Sequence, residues 1–159
     1  MRNETLDLIV TEAFNVGEKD LAWLGGFWDA DGSIGIVKRS TYLVPFASCA
    51  NTNEVLIKNV QRILDNAEVE YRLDYQDRGE RKNAKPAWVV RMESKKRVYR
   101  FCQMIEPYLV GKRTQAQLVM EWCELPVRTG TEAKQKGNTE GYHEIADQIR
   151  KLNARGRVR

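Results

Sequence analysis

The feature that most constrains this chain is a change of hydrophobic period at a single point, Asp31-Gly32. Before it, Leu21-Ala22-Trp23-Leu24-Gly25-Gly26-Phe27-Trp28-Asp29-Ala30-Asp31 reads as a helix that begins near Asp20. After it, Ser33 to Arg39 alternates Ile34 and Ile36 against Ser33, Gly35, Val37 and Arg39, the pattern of a half-exposed strand. Gly25 and Gly26 lie inside the helix, where each costs about 1 kcal/mol relative to Ala. A cost of that size calls for a packing reason. Ala22, Gly25, Gly26 and Asp29 are spaced by three or four, so they form a small-residue strip on which a second helix can lie in close backbone contact. If that helix is the same one from a second chain, the contact is isologous about a two-fold axis and brings two Asp31 side chains together.

The remaining periodicities give the surroundings of this junction. Leu6, Ile9, Val10, Ala13 and Phe14 predict a short helix closed by Gly17. Thr41 to Cys49 can pair with the first strand. Leu56, Val60, Ile63, Leu64 and Ala67 form an apolar stripe on a helix that Asn53 is placed to cap. Residues 69–78 and 87–93 read as two strands joined by GERKNAKP, with Trp88, Val90 and Met92 alternating against Val89, Arg91 and Glu93. Three further helices follow. The first carries Val98, Phe101, Cys102 and Ile105 and stops near Pro107; the second carries Leu118, Val119, Trp122 and Leu125 and ends at Pro126; the last carries Tyr142, Ile145, Ala146 and Ile149. Helix-strand-strand thus occurs twice, which predicts an α+β fold with a four-stranded antiparallel sheet and helices on one face. With 159 residues, one domain over 1–159 is expected: a core of about 20–125, a C-terminal helix of about 141–154 and a basic tail at 155–159.

Charge is polarised along the chain rather than evenly spread. Residues 1–31 hold two basic and seven acidic side chains, whereas residues 71–100 hold ten basic and four acidic ones, within an overall net charge of +4. The sheet face away from the helices is expected to present Arg39, Arg72, Gln76, Arg78 and Arg91, with Lys82 and Lys85 in the hairpin loop. A basic two-stranded ribbon fits the major groove of DNA, although a plain solvated face explains outward Arg and Lys as well. The composition excludes several other chemistries. Cys49, Cys102 and Cys123 form no C-x-x-C pair, and His143 is the only histidine, expected on a helix surface. Zinc ligation, a disulfide framework and a Ser-His-Asp triad therefore lack material, leaving carboxylates and lysines. No run of eighteen apolar residues exists and the N-terminal apolar stretch carries acids, so the expectation is a soluble intracellular protein, of cytoplasm or organelle, neither secreted nor membrane-bound.

Asp29 and Asp31 fall at the helix C-terminus, where the macrodipole disfavours acids by about 0.3–1 kcal/mol each. Pairing two such ends across a two-fold multiplies the repulsion, and hard carboxylate oxygens relieve it best with Mg²⁺ completed by water and phosphate oxygens. The alternative is that DADG is only a helix-to-strand turn, with Asp29 as a local hydrogen-bonding group and Gly32 at positive φ.

The stretch from Leu21 to Ile34 resembles the LAGLIDADG motif of the homing endonucleases. The repeated helix-strand-strand order, Asn51-Thr52-Asn53 before a helix, and Pro107-Tyr108-Leu109 followed by Lys112 extend the resemblance over roughly residues 20–125. The sequence departs from the common wording at Gly25 and at Trp28, which reads as core. The resemblance implies an αββαββα core with a saddle-shaped sheet, and a single-motif chain that acts as a homodimer on a nearly palindromic double-stranded DNA site. It implies Mg²⁺, or another divalent cation such as Mn²⁺, held by Asp31 and the carbonyl of Ala30. Lys112 is implied to organise water near the metals, against its reading as an ordinary surface lysine. A polar side chain at the end of the second strand is implied to bond the attacking water. Asn53 matches that position, though helix capping explains it equally well, and Asn51 is a further candidate. An intron RNA maturase and a non-catalytic DNA-binding protein on the same fold are the alternatives.

Overall fold

The computed structural model describes residues 13–40, 42–77, 85–126 and 140–155, the side chains of residues 140 and 155 excepted. The period change falls where the sequence places it: helix α1 (Glu18–Asp31) runs directly into strand β1 (Gly32–Arg39). Strand β2 (Tyr42–Asn51), helix α2 (Glu54–Asn66), strands β3 (Arg72–Gln76) and β4 (Ala87–Glu93), helices α3 (Lys95–Ile105), α4 (Arg113–Glu124) and α5 (Glu140–Arg155) follow, with a 3₁₀ turn at Glu106–Tyr108. The four strands form one antiparallel sheet in the order β1-β2-β4-β3. The fold is α+β, with its helices packed on the face that carries Ile34, Ile36, Ala47, Cys49, Val90 and Met92. Most of the predicted short helix before Gly17 lies outside the described residues, which begin at its Ala13-Phe14 end.

Local chemistry sets the element ends. Asn53 caps α2, its Oδ1 accepting from Val55 N at 3.0 Å. The other end of α2 closes in a Schellman arrangement: Val69 N donates to Leu64 O, Glu68 N donates to Asp65 O, and Glu68 takes a left-handed φ of 53° that a glycine adopts without strain. Ile57 is fully buried on this helix while Leu56, expected in the stripe, is only half-buried. The third strand is shorter than residues 69–78, because Val69 is used by this cap and Tyr71 precedes the ladder.

Trp28 is fully buried, its ring centroid 4.5 Å from that of Phe101, so the departure from the common motif wording is absorbed in the core. Its indole also explains Gly32. That residue sits at φ −91°, not the positive φ that the turn reading requires, and a Cβ there would lie 2.4 Å from Trp28 Cδ1. The glycine makes room for a side chain rather than for a turn. Helix α5 joins the same core through Ile145, Ala146 and Ile149, and Asn153 Nδ2 donates to Ile34 O on β1 at 3.2 Å. Its His143 is exposed. Among the described residues no helix is long and apolar enough to cross a membrane.

Candidate active site

The two acids of the D-A-D-G stretch have opposite environments. Asp29 is half-buried and its carboxylate accepts three backbone N–H groups from the segment after the 3₁₀ turn: Val110 at 2.7 Å, Gly111 at 3.1 Å and Lys112 at 2.9 Å. The Lys112 ammonium donates to the carbonyl oxygen of Asp29 itself. Charge-assisted hydrogen bonds of this kind are among the strong ones. Asp29 is therefore satisfied, and it clamps a segment more than eighty residues away onto the end of α1.

Asp31 is exposed, and among the described residues its carboxylate has a single neutral donor, Asn51 Nδ2, at 2.8 Å from Oδ2. Asn51 Oδ1 accepts from Asn53 N at 2.8 Å, which fixes the amide with its NH₂ toward Asp31. No basic residue lies in the last turn of α1. Of the two acids, Asp31 is the one whose negative charge, added to that of the helix C-terminus, lacks compensation. Cys49 pairs with Gly32 in the β1–β2 ladder, and its thiol is pushed up to about 12, first by burial and further by the charge of Asp31, against the lowering effect of a hydrogen bond from the Val90 backbone.

Asp31, Ala30, Asn51 and Lys112 thus meet at one end of the sheet, where α1 passes into β1. Asn53 stands one step behind, occupied as a helix cap. Its link to Asp31 runs through Asn51, a connection visible only once β2 is paired with β1.

The proposed seam residues divide. Gly25 is buried against the 3₁₀ turn of its own chain: a Cβ there would meet Tyr108 O at 2.5 Å and Tyr108 Cβ at 2.8 Å. With Asp29 also turned inward, these two residues account for an intramolecular close approach. Gly26 is different. It is exposed, with no described atom beyond its own helix within 4 Å of an added Cβ. The outward face of α1 is Ala22, Trp23, Gly26, Phe27 and Ala30, rotated by about one residue from the expected strip, with Trp23 and Phe27 stacked at 5.1 Å between centroids. The spacing of that aromatic pair by four was the available sequence signal.

The register puts Arg39, Arg72, Gln76 and Arg91 on one sheet face, opposite the core. Lys85 is exposed just before β4, while Arg78 and Lys82 lie outside the described residues. The face is less basic than expected, because each of its three arginines meets an acid that shares it. Arg72 Nη2 lies 2.8 Å from Asp74 Oδ2, Arg39 Nη2 lies 2.5 Å from Glu93 Oε1, and Arg91 Nη1 lies 3.5 Å from the same oxygen.

Comparison with known proteins agrees with this fold. In the homing endonuclease I-CvuI, solved in complex with the I-CreI target in 2 mM Mg with the DNA not cleaved, 82% of the chain superposes on 85% of this one, with TM-score 0.59 and 23% identity. The meganuclease I-AabMI, solved bound to uncleaved DNA, covers 79% of this chain over 42% of its own, with TM-score 0.54 and 16% identity. At these identities the likeness is one of fold. An uncharacterised protein of Methanocaldococcus jannaschii is 39% identical over 51 residues, 32% of this chain and only 19% of that protein's length. Residues 18–106, more than half of the 159, match the LAGLIDADG-like domain, and the chain belongs to that family.

Proposed function

We propose that this protein is a site-specific double-strand DNA endonuclease that works as a homodimer and hydrolyses phosphodiester bonds with a divalent cation. The observation that carries the reading is the uncompensated Asp31 carboxylate at the exposed end of α1, beside the face that bears Arg39, Arg72 and Arg91. The donor set fits a hard cation. Asp31 Oδ2 is oriented by Asn51, while Oδ1 is engaged by no described residue, and the carbonyl of Ala30 belongs to the negative end of the helix. One chain supplies one carboxylate, so further oxygens must come from a second chain, from water and from phosphate. Relatives of this fold were solved with 2 mM Mg or 2 mM Ca. Mg²⁺, or Mn²⁺ in its place, supplies Lewis-acid stabilisation of the phosphate and a more acidic water.

The chain's own residues then have separable tasks. Asn51 keeps the Asp31 carboxylate in one orientation. Asp29 holds residues 110–112 so that Lys112 stands beside the acid and offsets phosphate charge. The protein face that carries the arginines fixes the duplex so that water adds to phosphorus in line with the departing P–O bond, and the leaving oxygen takes up a proton. Apposition of two α1 helices through Ala22, Gly26 and Ala30, flanked by the Trp23–Phe27 pair, brings two copies of this site to one duplex, one per strand.

Asp31→Asn tests the reading with randomised duplex DNA and Mg²⁺, by sequencing of cut ends and by binding. Cleavage vanishes while DNA affinity persists. Cleavage that survives the substitution, or a chain that sediments at 18.4 kDa rather than twice that mass at working concentration, refutes it.

A further inference from the structure

A face that held DNA by bulk charge alone would present unpaired cations to the phosphates. Here three guanidinium groups share their face with two carboxylates that touch them, so their joint charge is only +1. Glu93 is the centre of this arrangement. It stands opposite Phe46, which in turn stands opposite Gly35, so the Arg39 side chain crosses the whole width of β2 to reach it. Arg91 approaches from two residues along the same strand, and its Nε is enclosed by protein without an acceptor among the described residues. Both arginines meet the same oxygen, Oε1, which leaves Oε2 engaged by no described residue.

We infer that Glu93 is a specificity-determining residue that holds the Arg39 and Arg91 forks, and its own second oxygen, for a G·C pair in the major groove beneath the middle of the sheet. The inference rests on the DNA-binding reading of this face. A planar fork held in place loses little freedom on forming a bidentate pair, so the charge given up to Glu93 is returned as orientation. In the major groove guanine offers O6 and N7 as acceptors and cytosine offers its N4 amino group as a donor. Two oriented guanidinium groups beside a free carboxylate oxygen complement that pair. An A·T pair sets the adenine amino group against arginine donors and thymine O4 against the carboxylate, so the same arrangement also rejects the wrong pair. Phosphate, which is acceptor only, is repelled by Glu93.

The test is selection of bound sequences from a randomised duplex pool in a chelator, with wild type, Glu93→Gln and Arg91→Lys, each checked by thermal melting. The wild type enriches G·C at one cluster of positions in each half-site. Glu93→Gln lowers the preference there by about tenfold and leaves the other positions unchanged, as expected when one good bidentate contact is lost. Arg91→Lys keeps the charge, so it loses the same preference while the dependence of affinity on salt is retained. Unchanged preference in either variant overturns the inference, as does a loss spread evenly over the whole site or an enrichment for A·T at the affected positions. A wild-type pool with no enriched sequence overturns the DNA reading beneath it as well.

Discussion

Adjacent glycines in α1 should respond oppositely to the same substitution. Alanine at either position removes the intrinsic penalty of glycine in a helix, about 1 kcal/mol. At Gly25 the new Cβ meets backbone and Cβ atoms of Tyr108 at 2.5–2.9 Å, and neither is the free end of a flexible side chain. Overpacking costs about 1–3 kcal/mol, and backbone contacts this short lie in the upper part of that range, about 2–3 kcal/mol, so Gly25→Ala destabilises the fold by about 1–2 kcal/mol after the helix gain is subtracted. At Gly26 no described atom beyond its own helix lies within 4 Å of the added Cβ, so the isolated chain keeps the whole gain of about 1 kcal/mol. In the proposed dimer the two Gly26 positions face each other across the two-fold, and two added methyl groups hold the helices apart. A penalty of about 1.4 kcal/mol already weakens association tenfold. Urea unfolding at low and high protein concentration, with sedimentation in parallel, separates the effects: Gly26→Ala raises the dilute midpoint, removes its concentration dependence and shifts the chain to the monomer. A Gly25→Ala variant as stable as wild type refutes the packing argument. A Gly26→Ala variant that dimerises as tightly as wild type refutes the seam.

Glu68→Gly relieves the left-handed φ at the end of α2 and raises stability by about 1 kcal/mol in urea titrations, without altering DNA affinity. Asp29→Ala leaves three backbone N–H groups without their acceptor and costs about 3 kcal/mol by the same titration; it also loosens residues 110–112 from the end of α1, although the carbonyl that Lys112 Nζ meets is kept, and lowers cleavage beyond what the fold loss explains. The Cys49 thiol, raised from 9.0 to about 12, contributes stability that is complete below pH 9 and declines as pH rises toward 12, because only the unfolded chain ionises in that window. Stability read from melting curves between pH 9 and 11 therefore falls less steeply for Cys49→Ala than for wild type, by up to about 1.4 kcal/mol per pH unit.

Much of the architecture is local, and local patterns carry it. The switch from a period of 3.6 to a period of 2 at Asp31-Gly32 places helix against strand, and the stripe through Val60, Ile63 and Leu64 defines α2. The alternation Trp88, Val90, Met92 against Val89, Arg91, Glu93 assigns the two faces of β4. The acid proposed to act in cleavage is also marked, because its spacing from the glycines belongs to one motif.

Contacts between distant residues were decided by tertiary structure alone. Two glycines of equal propensity are told apart only when Tyr108, more than eighty residues later, comes to rest against one of them. Asp29 and Asp31 are chemically alike and two positions apart; residues 110–112 satisfy the first, whereas the second meets, among the described residues, only Asn51 from the end of β2. Gly32, open to a turn reading in the sequence, is required by the Trp28 indole lying over it. The arginines could be counted from the chain, but their neutralisation by Glu93 and Asp74 depends on strand register, which puts Arg39 within reach of a residue fifty-four positions away. Hydrophobic period is a property of neighbours in sequence; compensation of charge and exclusion of volume are properties of neighbours in space.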